Sequence, residues 1–147
     1  MSTHATIAIK TDKGYKAIYN HFDGDSLYPI LTKNYTDENK VNALIALGDI
    51  SFLGEEIGPA PIVQAHGFDA LYSDYFRGLS KEEQKKEQAE YYHHTLAYGR
   101  DRGETGTEAH TVKSLRELIK EEEYTYVFDP HSGEWDEYEY EDGDLIR

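Results

Sequence analysis

The stretches Ala-Thr-Ile-Ala-Ile-Lys at residues 5–10 and Tyr-Lys-Ala-Ile-Tyr-Asn at residues 15–20 decide the fold of this chain. Both contain residues that favour extended backbone, and the second places Tyr, Ala and Tyr at alternate positions. Asp12-Lys13-Gly14 lies between them and supplies a turn. The sequence therefore predicts an opening β-hairpin, followed by a loop at residues 21–26.

A second hairpin is predicted near the other end of the chain. Residues 124–129 and 134–140 have strand propensity and flank Pro130-His131-Ser132-Gly133, a typical turn sequence. Between the two hairpins, residues 91–98 and the shorter stretch 107–112 predict one or two middle strands.

Two helices are predicted directly after the first hairpin. Pro29 fits the first turn of one helix, because the backbone N–H that proline lacks would have no hydrogen-bond partner at that position. Thr36 is the predicted N-cap of the second helix, and Gly48 is its left-handed C-terminal residue. Residues 49–70 are rich in glycine and proline and predict a long surface excursion.

Capping boxes indicate further helices. Ser114 with Glu117 predicts a helix that runs through about Glu122. The polar stretch at residues 80–90 allows two interpretations, a short exposed helix capped by its first residue and Glu83 or a solvated insertion. The expected fold is one α+β domain over residues 1–147. Its antiparallel sheet combines the N- and C-terminal hairpins with a middle strand or two, and its helices pack on one face.

Composition limits the classes of function. The chain has 147 residues, a net charge of −14 and no cysteine. Lack of cysteine excludes disulfides and thiol chemistry, and the charge argues against direct contact with nucleic acid or an anionic membrane. There is no apolar run of membrane-spanning length and no secretory leader, so we expect a cytoplasmic protein, with self-association left open.

Two polar segments, His-Phe-Asp-Gly at residues 21–24 and Tyr-Gly-Arg-Asp-Arg-Gly-Glu at residues 98–104, are candidates for a ligand site. Arginine forks suit carboxylate or phosphate groups, and flanking glycines allow close approach of the backbone. The candidate ligand-binding residues are His21, Asp23, Tyr98, Arg100 and Arg102. A simple turn at the first segment and a local salt-bridge cluster at the second are the alternatives. The histidines have no zinc spacing, and no metal, cofactor or catalytic residue is assigned.

The C-terminal hairpin is a candidate protein-binding surface. Between residues 121 and 144 there are 11 acidic residues and no Lys or Arg. Carboxylates spaced along a strand approximate the interval between phosphates of a nucleic acid, so the strand could occupy a basic groove. An edge strand protected by charge and a solubilising tail are the alternatives. The candidate partner-binding residues are Trp135, Asp136, Glu137, Tyr138, Glu139, Tyr140 and Glu141.

Four stretches in order along the chain resemble a family of small proteins encoded by phages and prophages. They are Thr6-Ile7-Ala8-Ile9, the His-Phe-Asp-Gly loop, Leu47-Gly48-Asp49, and Arg-Asp-Arg-Gly-Glu at residues 100–104. The family usually has Trp at the position of Phe22 and Tyr at the position of Asp25. The resemblance implies a phage origin and supplies no mechanism.

These observations predict a binding protein and not an enzyme. The first hypothesis is a phage accessory protein that inhibits a host or anti-phage defence protein with a basic surface, by mimicry of nucleic acid or by another acidic contact. The alternative is a small-molecule binder that sequesters a nucleotide signal through the Arg-Asp-Arg segment.

Overall fold

A computed structural model describes residues 3–140 and the backbone of residues 144–145. In this part of the chain, eight strands occupy β1 (Ala5–Thr11), β2 (Gly14–Asn20), β3 (Ile50–Phe52), β4 (Leu96–Ala97), β5 (His110–Val112), β6 (Tyr124–Asp129), β7 (Glu134–Glu139) and β8 (Asp144–Leu145). The α-helices of the same residues are α1 (Tyr28–Asn34), α2 (Glu38–Ala46), α3 (Pro61–His66), α4 (Asp74–Arg77), α5 (Lys81–His93), α6 (Tyr98–Arg102) and α7 (Leu115–Leu118).

The strands form one mixed sheet in the order β4-β3-β2-β1-β6-β7-β8, and β5 pairs with β2 outside this path. Both predicted hairpins are present, β1 with β2 and β6 with β7. The prediction of an antiparallel sheet is wrong at the centre, because β1 and β6 run parallel over five residue pairs. A parallel pair needs a long crossover connection, and the helices between the two hairpins provide it.

Helices cover both faces of the sheet, which corrects the prediction of a single helical face. On one face, Ile7 and Phe128 belong to a core that includes Leu31 of α1 and Leu44 of α2. On the other face, Leu118 of α7 packs with small and branched side chains of β1, β2 and β6. A smaller apolar cluster at the β3–β4 edge joins side chains of α3 and α5.

The region between α2 and β4 differs most from the sequence prediction. The predicted surface excursion at residues 49–70 contains the buried strand β3 and the helix α3, with Ile62 and Val63 buried. The predicted strand at residues 91–98 is only partly present: α5 continues from its capped start to His93, and the strand β4 is confined to Leu96–Ala97. Tyr91 is buried within this helix against Phe52, where the aromatic contact outweighs strand propensity.

The capping predictions are largely confirmed. The capping box of Ser80 is present, so the polar stretch at residues 80–90 is a helix. Gly48 has a φ of 79° after α2, whose N-cap is Asp37 instead of the predicted Thr36. Ser114 caps α7, which ends at Leu118, short of the predicted residue 122. A run of glutamates follows, and the negative end of the helix dipole disfavours acids there. No helix of residues 3–140 has the length and apolar character of a membrane span.

Candidate functional site

A cleft of about 830 Å³ lies where the loop after β2, the strand β3 and the helices α5 and α6 meet. We call it the aromatic cleft, because eight of its lining side chains carry aromatic rings: His21, Phe22, Phe52, Phe68, Tyr72, Tyr91, Tyr92 and Tyr98. Its volume falls in the range of small-molecule sites, roughly 300–1,000 Å³. The cleft therefore has the size and the apolar character of a ligand-binding pocket.

The rings of the cleft support one another. Phe52 lies with its ring centre 5.5 Å from that of Tyr91 and 5.1 Å from that of Tyr92. On another part of the cleft lining, Phe68 and Tyr98 stack at 5.6 Å with an interplanar angle of 23°. Such contacts hold the ring orientations, so the cleft presents defined aromatic faces and edges.

Large aromatic side chains at the cleft remain in contact with solvent. Phe22 is 43% exposed, Tyr72 76% and Tyr92 54%. In the described part of the chain, the other exposed large apolar side chains are Tyr75 and Tyr140, and neither lines this cleft. Exposed apolar groups concentrated at a concave site are typical of a binding surface.

Four of the five candidate ligand-binding residues meet at this cleft. His21, Asp23, Tyr98 and Arg102 all line it, although the two segments are more than seventy positions apart in the sequence. The sequence singled out the first segment by a His and an Asp two positions apart at a strand end, and the second by two arginines that flank an aspartate between glycines. The fold brings them together because β2 and β4 both pair with β3, which lies between them.

Arg100 does not line the cleft and has a structural role. Its guanidinium donates to both carboxylate oxygens of Asp101, at 2.8 and 3.0 Å, and to the backbone oxygens of Ile57 and Thr95, at 2.6 and 2.8 Å. Asp101 in turn accepts the backbone N–H of Ala97. These bonds engage the fork of Arg100 within the protein and away from the cleft, so the ligand-binding role expected from the sequence stays a prediction for this residue.

Arg102 is the cation of the cleft. Its guanidinium carbon lies 4.6 Å from the ring centre of Phe68 and 4.8 Å from that of Tyr98. The side chain also donates from Nε to Oε2 of Glu104 at 2.8 Å, and from Nη2 to the same oxygen. The local salt-bridge alternative is therefore present in the structure, and Arg102 remains 46% exposed in its side chain.

The His-Phe-Asp-Gly loop is fixed from three sides. Asn20 donates from Nδ2 to the Phe22 oxygen at 2.7 Å, and Tyr126 donates its hydroxyl to the Gly24 oxygen at 2.6 Å. A Cβ on Gly24 would lie 2.6 Å from the carbonyl carbon of His4, so only glycine fits. Asp23 has a φ of 59°, which aspartate tolerates better than most residues. The loop is thus a turn held by specific contacts, and it also supplies residues to the cleft.

His21 belongs to a cluster of titratable groups beside the cleft. Its Nδ1 lies 2.7 Å from the Tyr19 hydroxyl, and its ring stacks on His4 at 4.7 Å. Burial, and to a smaller extent His4, lowers the pKa of His21, while burial and then the Glu122 carboxylate raise the pKa of Tyr19 to about 12. At neutral pH the phenol keeps its proton, and the imidazole is neutral. When Tyr19 donates this hydrogen bond, His21 keeps its own proton on Nε2 and can donate to a ligand.

A second cavity of about 300 Å³, which we call the polar annex, shares two side chains with the aromatic cleft. It is lined by Tyr19, Asp49, Glu104, Thr105, Gly106 and Thr107, together with the shared Tyr98 and Arg102. Asp49 accepts the backbone N–H of Tyr19 on Oδ1 at 2.9 Å, and burial raises the pKa of its carboxyl. Sequence reasoning did not assign Asp49 a role, although it noted the Leu-Gly-Asp stretch.

The candidate partner-binding residues do not form one exposed surface. Trp135 is 3% exposed and donates its indole N–H to the Tyr35 oxygen at 2.8 Å, and Glu137 is 2% exposed. The surface contact predicted for these two residues is therefore corrected, because they face the α1 side of the sheet. Asp136, Tyr138 and Glu139 are half-buried, and Tyr140 is exposed. Glu141 lies outside the described residues.

The acidic strand is also not a free edge along its whole length. Residue pairs Tyr138–Leu145 and Glu139–Asp144 join β7 to β8. Within residues 3–140, no group of three or more His, Asp or Glu side chains has the arrangement of a metal site.

Sequence reasoning missed the part of the cleft lining formed by Phe52, Phe68, Tyr72, Tyr91 and Tyr92. These residues come from β3, from the segment between α3 and α4 and from the end of α5, and no local pattern links these regions. The abundance of tyrosine, 13 residues against five Phe, was the one available signal. Comparison with protein-family models, with curated proteins and with solved structures finds no match for this chain.

Proposed function

We propose that this protein binds a small molecule with a planar aromatic ring, of the nucleobase-bearing class, in the aromatic cleft and thereby sequesters it. The observation that carries the proposal is the concentration of exposed aromatic side chains, Phe22, Tyr72 and Tyr92, at one concave site. Planar rings bind such sites by stacking and edge contacts that alkyl groups cannot make.

Polar groups at the cleft support recognition of a heterocycle. Asp23 supplies a carboxylate acceptor, and His21 supplies a ring nitrogen beside the aromatic side chains. Hydrogen bonds to such groups distinguish one nucleobase edge from another, as expected for a pocket with few, well-placed polar contacts.

The charges of the cleft favour a ligand of low charge. Arg102 is the cation among the lining residues, it is already paired with Glu104, and Asp23 and Asp69 add two carboxylates. The whole chain carries a net charge of −14. A polyphosphate would meet repulsion here, so the phosphate contact expected of Arg100 and Arg102 from the sequence is not part of this proposal.

The test is a binding screen with the free bases, nucleosides and nucleoside 5′-monophosphates of adenine, guanine, cytosine and uracil. A member that binds is expected to raise the unfolding midpoint, since a ligand at 100 times its Kd adds about 2.7 kcal/mol of stability. Calorimetric titration of that member should show affinity about 2- to 12-fold weaker for Tyr72→Ala, through loss of one ring contact.

Tyr140→Ala is the matched control, because Tyr140 is also an exposed tyrosine but lies outside the cleft. It should leave the affinity unchanged. A screen in which no compound shifts the midpoint would refute the proposed function, and so would equal weakening by both variants.

Binding of a basic protein partner is the second candidate function. The exposed acidic surface available for it is smaller than the one that the sequence indicated. The observation that favours it is that exposed Tyr140 directly follows the acidic strand β7, which ends at Glu139. Charge reversal in Glu139→Lys should abolish salt-sensitive capture of a host protein from lysate, whereas Glu82→Lys on α5 should not. Capture that survives Glu139→Lys at low and moderate salt would remove this candidate.

A further inference from the structure

The polar annex continues the aromatic cleft past a shared pair of side chains. Tyr98 and Arg102 line both cavities, with the Arg102 guanidinium over the Tyr98 ring. A ligand whose ring lies in the cleft beside Tyr98 can therefore extend a second part into the annex. The two cavities differ in chemistry, because one is mostly aromatic and the other is lined by carboxylates, hydroxyls and backbone.

Acceptors dominate the annex. Asp49 and Glu104 contribute two carboxylates against the single guanidinium of Arg102. Each carboxylate has an oxygen engaged within the protein, Oδ1 of Asp49 with the Tyr19 N–H and Oε2 of Glu104 with Arg102. The second oxygen of each retains its capacity to accept a hydrogen bond from a ligand hydroxyl.

Fixed contacts hold this arrangement in place. The backbone N–H of Asp49 donates to the Thr107 oxygen at 2.7 Å, which ties the end of α2 to the loop that forms the annex wall. Burial raises the pKa of the Asp49 carboxyl, which is consistent with an acceptor held away from bulk water. Neighbouring carboxylate acceptors suit a vicinal diol, because acidic side chains commonly bind the hydroxyls of ribose.

We infer that the ligand is a ribonucleoside, with its base in the aromatic cleft, its 2′-hydroxyl hydrogen-bonded to Glu104 and its 3′-hydroxyl hydrogen-bonded to Asp49 in the polar annex. This inference rests on the proposed function and adds the sugar and the charge state of the ligand. Two carboxylates in the annex repel a phosphate chain, so the nucleoside binds more tightly than its 5′-triphosphate.

The experiment is calorimetric titration of the full chain with each of the four ribonucleosides, its 2′-deoxy counterpart and its 5′-triphosphate. The best ribonucleoside should bind at least about tenfold more tightly than the 2′-deoxy compound, the loss expected for a hydrogen bond to a charged acceptor. Glu104→Ala should weaken ribonucleoside binding by a similar factor and leave 2′-deoxynucleoside binding unchanged. Glu134→Ala, at an exposed glutamate that lines neither cavity, is the matched control and should change neither affinity.

The outcomes separate the two proposals. Equal binding of ribonucleoside and 2′-deoxynucleoside, or tighter binding of the triphosphate, overturns the assignment of the annex and leaves the aromatic cleft as the base site. An equal loss for both sugars in Glu104→Ala also overturns it, because that pattern indicates a structural role. Failure of every compound to bind overturns the proposed function together with this inference.

Discussion

Replacing Trp135 by alanine should lower the free energy of unfolding by about 3–5 kcal/mol, the usual cost of removing a large aromatic side chain from a core. The indole is 3% exposed, its ring centre lies 5.3 Å from that of Phe128, and its N–H donates to the Tyr35 oxygen. Truncation leaves a cavity between β7 and α1 and removes the donor for that oxygen. Urea unfolding followed by circular dichroism measures the change.

Tyr140→Ala is the control for this experiment, because it removes an aromatic side chain that is 46% exposed one position beyond β7. Its free energy of unfolding should stay within about 0.5 kcal/mol of the parent protein. Equal stability of the Trp135→Ala variant and the parent would show that the indole is not a core group, and the surface contact predicted from the sequence would then apply to it.

Trp135 also shows where sequence reasoning reaches its limit. Alternation along residues 134–140 correctly separates the faces of β7, because strand geometry is local. It does not say which face is covered. Five acidic residues in the stretch 134–142 besides Glu137 suggested an exposed strand, since buried charges are rare. The α1 helix, distant in sequence, covers the face of Trp135 and Glu137 instead.

The sheet follows the same division between local and distant information. Each hairpin was predicted from a turn sequence between two short strands, and both signals lie within about 20 residues. The parallel pairing of β1 with β6 joins residues more than 110 positions apart, such as Ala5 and Tyr124. No turn sequence or residue spacing indicates that pairing. The antiparallel prediction assumed that distant strands pair like the strands of a hairpin, which holds only for strands joined by a short turn.

The candidate site was predictable in its polar part only. His21 stands out because a His and an Asp lie two positions apart at a strand end, and Arg102 because two arginines flank an aspartate between glycines in an acidic chain. The same reasoning placed Arg100 with them, but the side chain turns towards Ile57 and Thr95. Helical geometry explains the difference, because residues two apart on α6 point in different directions.

Gly48→Ala should be the most damaging small substitution near the annex, through two separate effects. Gly48 has a φ of 79°, a conformation that costs an L-residue about 1–2 kcal/mol. A Cβ there would also lie well inside van der Waals contact with the Thr107 oxygen, a backbone atom that accepts the Asp49 N–H. Relieving that overlap should cost a further roughly 1–3 kcal/mol. Thermal and urea unfolding measure the sum.

Gly106→Ala separates the two effects, because Gly106 has a similar φ of 74° but no atom within 4 Å of the added Cβ. The free energy of unfolding of the Gly106→Ala variant should fall only by the cost of the left-handed backbone conformation, about 1–2 kcal/mol. The difference between the two variants then measures how firmly the end of α2 is packed against the loop at residues 105–107. Equal destabilisation of both would mean that the loop yields freely, and Asp49 would not be held in the position that the annex requires. A larger loss of stability in Gly48→Ala than in Gly106→Ala would instead show that the close backbone contact between Gly48 and Thr107 holds the Asp49 carboxylate in its position.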